Sequence, residues 1–220
     1  MMARGLGILG TCASALAFFA TPTHAQDGGL ASLEAAAARY GAASSVCADF
    51  VQLRSVPLLR QEVTQSGRLC SADPNLFAMR FTDPAGNLIV TDGMTQWIYR
   101  PSDNPGQVFR ADVGPDTGGQ DFYRELLENP GAKYDVTCAS TEEIAGRPTH
   151  RLCLRPKVPS RDRPDVVWID VGSSVIRRIH FREENGSERT ITLSDVDFDV
   201  APPAGWFVFT PPSGAVVIPL

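Results

Sequence analysis

The stretch WFVFTPPSG at residues 206–214 ends a run of aromatic and β-branched residues abruptly. Aromatic and β-branched side chains favour extended strands, whereas two consecutive prolines cannot continue a strand ladder. The stretch therefore predicts a last strand over residues 206–210 and a stop at Pro211.

Most of the chain before this stretch shows strand patterns. Strands are predicted at about 46–54, 62–70, 76–82, 87–91, 94–100, 133–138, 149–155, 165–171, 175–182 and 189–200. In the strand at 189–200 the apolar alternation changes phase after Leu193, so we expect a β-bulge near Ser194 and Asp195. Asp92-Gly93 is a hairpin signal that would pair Thr91 with Met94.

Two segments have helical character. Leu30, Leu33, Ala37 and Tyr40 recur at helical spacing in an alanine-rich run that stops at Gly41. Later, Asp121 is a candidate N-cap for a short helix. That helix would carry Phe122, Leu126 and Leu127 and end at Asn129-Pro130. Consecutive antiparallel strands with one helix before them and one inserted predict a strongly curved sheet or an open barrel.

The first 25 residues have the pattern of a cleaved export signal. Arg4 precedes an apolar run, and Thr23-His24-Ala25 offers a cleavage site before Gln26. Lipidation at Cys12 is the alternative, but Thr11 is a poor residue before a lipidated cysteine. We expect one mature domain over residues 26–220.

The charge balance bears on the class of partner. The whole chain has 20 basic and 25 acidic residues, and loss of Arg4 would leave the mature chain still more acidic. An acidic chain without a basic run argues against nucleic acid or an anionic membrane surface as the main partner.

Four cysteines lie in the expected mature chain. Cys47 and Cys70 flank one predicted hairpin, and Cys138 and Cys153 flank another. A zinc site is the alternative, but no C-x-x-C or nearby histidine pair supports it. We expect the disulfides Cys47–Cys70 and Cys138–Cys153, because each pairing fits cross-strand geometry.

No catalytic motif stands out in the sequence. His150 and His180 each lie in a strand pattern away from any serine or cysteine motif, and Gly172-Ser173-Ser174 is not a nucleophile elbow. Alternating aspartates at 195, 197 and 199 favour a solvated strand face over a cation site. We expect no enzyme, no metal and no cofactor.

Three segments together carry a family resemblance. In order and spacing, PNLF at residues 74–77, LIVTDGMTQWIY at residues 88–99 and the closing stretch at 206–214 resemble the LolA family. The family comprises periplasmic carriers of outer-membrane lipoproteins, and the resemblance covers about residues 30–214. It implies a mainly β fold with helices: an unclosed antiparallel barrel whose apolar cavity is covered by lid helices.

The resemblance also implies a mechanism and partners. A LolA-like protein takes lipoproteins from an inner-membrane ABC transporter of the LolCDE type, shields their acyl chains, and passes them to an outer-membrane receptor of the LolB type. Each buried CH₂ is worth about 0.8 kcal/mol, so such an anchor cannot cross water unshielded. The periplasm is the expected compartment, and a monomer the expected state.

The strand faces and the resemblance together predict which residues line the lipid cavity. Phe77, Met79 and Phe81 share one face of their strand, and methionine with aromatics makes an adaptable apolar lining. Ile89 and Trp97 are added as candidates, although the turn at residues 83–86 leaves open which neighbouring set shares the cavity. Without the resemblance, the same stripe would be interpreted as ordinary core. The lid would consist of Leu33, Phe122, Leu126 and Leu127.

One position departs from the family pattern. Directly before the PNLF segment the family typically has an arginine that hydrogen-bonds the lid helices and favours the closed, empty state, and here Asp73 occupies that position. An ionised aspartate cannot donate those bonds. Either another donor replaces it, for which Arg68 and Arg80 are candidates, or lid opening is controlled differently.

Two other functions remain compatible with the sequence. A LolB-like receptor or the lipid-binding part of an RseB-like regulator of envelope sensing would also have an apolar cavity. The second alternative is a structural periplasmic protein with a solid core.

Overall fold

The computed structural model describes residues 23–113, 121–158, 164–183 and 186–220. The helices are α1 (Thr23–Gly41), α2 (Phe122–Leu127) and α3 (Pro130–Lys133). The strands are β1 (Ser45–Val56), β2 (Gln61–Ala72), β3 (Leu76–Asp83), β4 (Leu88–Asp92), β5 (Thr95–Tyr99), β6 (Gln107–Asp112), β7 (Tyr134–Ile144), β8 (Arg147–Pro156), β9 (Pro164–Asp170), β10 (Ile176–Arg182), β11 (Glu188–Phe198) and β12 (Val216–Pro219). The export signal predicted at residues 1–25 lies for the most part outside the described residues.

The described strands form one sheet in the order β12-β6-β5-β4-β3-β2-β1-β11-β10-β9-β8-β7. Its neighbouring strands are antiparallel except for β12, which runs parallel to β6. Among the described residues the edge strands β7 and β12 do not pair with each other. The expected fold class, an unclosed β structure with few helices, is confirmed.

The sheet curves around an apolar interior. The Phe122 ring lies 5.7 Å from Phe77 on β3 and 6.4 Å from Phe181 on β10, measured between ring centroids. Those two strands are four positions apart in the sheet, which corresponds to about 19 Å in a flat sheet. One side chain reaches both only because the sheet wraps around it.

The phase change predicted in the strand at 189–200 is a β-bulge. Cys47 of β1 pairs with Asp197 of β11, but Asp49 pairs with Ser194, so β11 contains an extra residue. Asp195 has a φ of 46° at this point, a left-handed conformation that aspartate tolerates better than most residues. Val196 and Phe198 thereby pack against the same interior cluster as Ile191 and Leu193, as expected.

The predicted hairpin at Asp92-Gly93 exists, but its register is shifted. Thr91 pairs with Gln96 instead of Met94. The Asp92 carboxylate accepts hydrogen bonds from the backbone N–H groups of Met94 and Thr95, at 3.1 and 2.8 Å, and this local bonding moves the turn along the chain. Because the shift is two residues, every side chain keeps its predicted face.

The strand predicted at residues 206–210 is wrong. Residues 204–207 form a turn, and residues 208–212 belong to neither a helix nor a strand. Trp206, Phe207 and Phe209 pack instead across the outer face of the sheet, against a small buried cluster on β3 and β4. Arg80 holds this segment by donating hydrogen bonds to the carbonyl oxygens of Gly205, Trp206 and Val208. These aromatic side chains are partly buried by packing on the sheet, although their own segment does not pair as a strand.

Two strands were missed by the sequence reasoning. The strand β6 pairs with β5, and the short β12 pairs with β6 beyond the proline pair at 211–212. Neither segment has a long apolar alternation: β6 reads QVFRAD and β12 reads VVIP. They are strands because they pair with a neighbouring strand, and the residue pattern of each segment does not predict this pairing.

Both predicted disulfides are present. Cys47 is bonded to Cys70 and Cys138 to Cys153. Each pair is also a directly opposed residue pair of an antiparallel hairpin, β1–β2 and β7–β8. Hairpin symmetry around the turns was therefore sufficient to identify the partners.

The described helices include none that combines the length and the apolar character needed to cross a membrane.

Candidate functional site

The apolar interior of the curved sheet contains four of the five residues predicted to line a cavity. Phe77, Met79 and Ile89 are buried in the main apolar cluster, and Phe81 is partly buried against it. Met79 pairs directly with Ile89 across β3 and β4, which places both side chains on the inner face. The stripe on β3 and its neighbour on β4 thus form one surface.

Trp97 is not part of this surface, and its prediction is wrong. It pairs with Val90 on the outer face of the sheet, where its ring lies 6.0 Å from that of Phe209. Ile98 pairs with Ile89 and belongs to the interior cluster. Because successive side chains alternate across a strand, the register fixed by the turn at residues 83–86 assigns Ile89 and Ile98 to the interior.

The four predicted lid residues all cover this surface. Leu33 of α1 and Phe122, Leu126 and Leu127 of α2 are buried in the same cluster as Phe77 and Met79. On α1, Leu33, Ala36 and Tyr40 are buried at helical spacing, so one face of the helix points to the interior. The Tyr40 hydroxyl accepts a hydrogen bond of 3.1 Å from the backbone N–H of Ile176 at the start of β10.

The start of α2 is fixed by Asp121. Its Oδ1 accepts hydrogen bonds from the backbone N–H groups of Tyr123 and Arg124, at 3.1 and 3.2 Å, which is the expected N-cap. Its Oδ2 accepts a hydrogen bond of 3.2 Å from the Ser71 hydroxyl near the end of β2. One carboxylate thus caps the helix and joins it to the sheet.

A second polar contact joins α2 to the turn after β2. Arg124 donates a hydrogen bond from Nη1 to Oδ1 of Asn75. Asn75 has a φ of 66°, and asparagine is one of the few residues that accept this conformation readily. We call the two contacts, Ser71–Asp121 and Asn75–Arg124, the lid latch.

Asp73, the position of the family arginine, lies beside the latch but outside it. Its side chain is exposed, and its backbone N–H donates to the carbonyl of Ser44 at 3.3 Å. Within the described part of the chain, neither proposed replacement donor hydrogen-bonds a lid helix. Arg68 donates to Asp49 and Asp197, and Arg80 donates to the outer-face segment after β11.

A cavity of about 360 Å³ opens between the lid helices, the start of β1, the end of β2 and the turn that contains Asp73 and Asn75. This volume falls in the range typical of small-ligand sites. Its wall is mixed: Val46 and Leu127 are apolar, whereas Asp73, Asp121 and Arg124 are charged or polar. The latch residues thus stand at the mouth of the apolar interior.

Burial perturbs three groups around this cavity. It raises the pKa of Tyr40 to about 12 and that of Tyr123 well above the usual phenol value, so both rings stay neutral. Burial also raises the pKa of Asp121, and the hydrogen bonds from Arg124, Ser71 and Tyr123 oppose this rise without cancelling it. The latch carboxylate is therefore held in a partly desolvated position.

Sequence reasoning missed three of the four latch residues. Asp121 was expected as a helix cap, but its partner Ser71 and the pair Asn75 and Arg124 were not singled out. The two contacts join residues 50 and 49 positions apart. Of these three residues, only Asn75 had a sequence signal, because it follows a proline in a turn.

A profile of the family described as "Outer membrane lipoprotein carrier protein LolA" matches residues 42–210. The outer-membrane lipoprotein carrier protein of Methylibium petroleiphilum is 26% identical over 171 residues, which cover 78% of this chain and 81% of the relative. The protein of the same description from Xanthomonas oryzae pv. oryzae is 29% identical over 157 residues, covering 70% and 71%.

A solved structure supports the fold. An uncharacterized conserved protein from Thermus thermophilus superposes with a TM-score of 0.50 at 12% identity, and the match covers 88% of this chain and 98% of that one. Because the family profile spans most of the chain, and the expected fold and interior are present, the chain belongs to the LolA family of outer membrane lipoprotein carrier proteins.

Proposed function

We propose that this protein carries lipoproteins through the periplasm by enclosing their acyl chains between the lid helices and the inner face of the sheet. The observation that supports this most directly is the interior itself: Phe77, Met79 and Ile89 on the sheet face Leu33 and Phe122 on the helices. The proposed function requires no catalysis, in keeping with a family of carriers.

The interior is filled by side chains in the described state. Phe77 is fully buried, and its ring packs edge-to-face on that of Phe122. Acyl chains therefore need α2 to move away, after which Phe77 and Met79 offer an apolar surface. Transfer of each CH₂ from water to that surface contributes about 0.8 kcal/mol, so a few methylenes offset the loss of the lid contacts.

We propose that the lid latch takes over the task that the family assigns to the arginine before the PNLF segment. The direction of the contact is reversed. In this chain the arginine, Arg124, is on the lid helix, and the acceptor, Asn75, is on the turn of the sheet. The side chain at position 73 then does not need to donate a hydrogen bond to the lid.

For partners, we propose an inner-membrane ABC transporter of the LolCDE type as the source of cargo and an outer-membrane receptor of the LolB type as its acceptor. The family membership and the carrier descriptions of the relatives support this assignment. The transporter would supply the energy of loading. The carrier itself would act as a monomer.

The test is lipoprotein capture by Phe77→Glu. A carboxylate in the apolar interior is costly unless it is paired, so the variant should favour an open lid and lose capture of lipoprotein released from inner-membrane vesicles. It should still fold, because lid opening exposes residue 77 to water. Val51→Glu is the matched control, since Val51 lies on a strand of the same sheet but is 49% exposed.

Two results would contradict the proposal. Normal capture by a folded Phe77→Glu variant would remove this face from the binding site. Global unfolding of that variant by circular dichroism, with Val51→Glu intact, would indicate a solid core instead of a cavity that opens.

A further inference from the structure

The two disulfides differ in their exposure to solvent. Cys47 and Cys70 are 1% and 0% exposed, whereas Cys138 and Cys153 are each only partly buried. Leu152, directly before Cys153, packs in the interior cluster, so the Cys138–Cys153 bridge lies on the outer face of the sheet. Both bridges join opposed residues of a hairpin. They therefore differ in their surroundings and not in how they cross a strand pair.

A cation is held beside the more exposed bridge. Nη1 of Arg151 lies 3.5 Å from Sγ of Cys138 and 3.2 Å from Sγ of Cys153. Two contacts fix the guanidinium group: its Nε lies 3.4 Å from Oε1 of Glu142, and its Cζ lies 5.5 Å from the ring centre of Trp168. Glu142 also accepts a hydrogen bond of 2.8 Å from the indole N–H of Trp168. Glu142 thus balances part of the charge of Arg151, but through a different nitrogen from the one that faces the sulfurs.

This arrangement favours thiol–disulfide exchange. An attacking thiolate forms a bond to one sulfur of a disulfide, and the other sulfur leaves as a thiolate. A thiol of lower pKa leaves faster, and a neighbouring cation lowers the pKa of a thiol. Because Nη1 of Arg151 lies near both sulfurs, it can donate a charge-assisted hydrogen bond to whichever of them leaves.

The same bridge fastens an edge strand beneath the lid helix α1. Among the described strands, β7 pairs with β8 alone, whereas β1 and β2, which carry the other bridge, each have two neighbours. Gly29 of α1 is buried, and a methyl group on its Cα would meet the side chains of Val136, Ala139 and Leu152. Val136 and Ala139 lie on either side of Cys138 in β7. Without the bridge, only non-covalent contacts would hold this seat of α1 together.

We infer that Cys138–Cys153 is a site of exchange with a dithiol reductant, and that its reduction loosens the seat of α1. One thiolate of the dithiol attacks a sulfur of the bridge and forms a mixed disulfide, and its second thiolate then displaces the cysteine of the protein. The dithiol is oxidised to a disulfide, while Cys138 and Cys153 take up its two electrons and two protons and become thiols. The exchange does not depend on the carriage of lipoproteins; only its effect on the lid rests on the proposed function.

The first test compares the two bridges in the folded parent protein. The protein is incubated with reduced thioredoxin, free thiols are alkylated with N-ethylmaleimide, and the alkylated peptides are identified by mass spectrometry. Cys138 and Cys153 should be alkylated at least about tenfold faster than Cys47 and Cys70, because access to the sulfur limits exchange. Equal rates, faster reduction of Cys47–Cys70, or resistance of both bridges would overturn the inference.

The second test concerns the role of Arg151. Arg151→Gln should slow the reduction of Cys138–Cys153 about fivefold, because the leaving thiolate loses its donor, and Arg151→Lys should recover part of the rate. Arg155→Gln is the matched control, since Arg155 lies two residues beyond Cys153 on the same strand and pairs with Asp135. Equal rates in Arg151→Gln and the parent would show that the guanidinium group does not assist exchange. Circular dichroism of each variant shows whether it is folded, and the comparison of the two bridges needs no variant.

The third test measures the effect on the lid. In the double variant Cys138→Ser and Cys153→Ser, amide hydrogen exchange of the peptide covering residues 28–41 should become about tenfold faster, while peptides from β1 and β2 keep their protection. Unchanged exchange of that peptide would overturn the proposed loosening of α1. None of these measurements uses lipoprotein, so failure of this inference is distinguishable from failure of lipoprotein capture.

Discussion

Removal of the Asp121 carboxylate should open the lid without unfolding the sheet. The Asp121→Ala variant loses two kinds of contact at once: the N-cap of α2 and the hydrogen bond from Ser71. Loss of an N-cap costs about 1 kcal/mol, and loss of a hydrogen bond to a charged acceptor costs about 1.5 kcal/mol. Release of a desolvated carboxylate offsets part of this sum. The closed lid is thus expected to lose about 2 kcal/mol, which raises the population of open molecules about 30-fold.

Amide hydrogen exchange followed by mass spectrometry measures this directly. Protection of the peptide covering residues 121–133 should fall about 30-fold in Asp121→Ala, while peptides from β1 and β2 should keep their protection. Asp121→Asn is the matched control, because asparagine caps helices as well as aspartate does. The reasoning would be refuted by equal exchange of this peptide in Asp121→Ala and the parent. Equal loss of protection in both variants would show that the charge, rather than the hydrogen-bond acceptor, holds the lid.

Two further predictions concern the stability of the sheet. Replacing Cys47 and Cys70 together by alanine should lower the free energy of unfolding by about 3 kcal/mol, because their bond closes a loop with a sequence separation of 23; an unchanged urea midpoint would contradict this. The hydrogen bond to Asp165 raises the pKa of His180 above its usual 6.5, so the pair stabilises the fold below that value, and the contribution is lost as the pH rises through the raised pKa. Urea unfolding at a series of pH values should show this decline in the parent and a flatter profile in His180→Gln.

The sequence was sufficient for the features that depend on neighbouring residues. Alternation of period two located most strands, and the change of phase near Asp195 identified the bulge in β11. Symmetry around two turns identified both disulfides. Helical spacing placed Leu33 and Leu126 on buried faces. Each of these inferences uses backbone geometry that a short segment determines by itself.

The assignment of side chains to the cavity needed the register between strands. Ile89 and Trp97 looked equally suitable in the sequence, yet the pairing of Met79 with Ile89 places Trp97 on the outer face. The closing aromatic stretch has the composition of a strand but packs on the outside of the sheet, held by Arg80. Composition predicts that aromatic and β-branched residues become buried. It does not predict whether strand pairing or the packing of an unpaired segment buries them.

The family resemblance in the sequence predicted an apolar interior beneath two lid helices, and it identified Asp73 as a departure from the family. Only the tertiary structure decided how the lid is held and which strands become neighbours. The lid latch joins residues about 50 positions apart, and the pair Arg54 and Arg189 joins strands from opposite ends of the chain. Strand pairing brings Arg54 and Arg189 together, and packing of α2 on the sheet forms the latch. No local pattern in the sequence specifies which distant residues then meet.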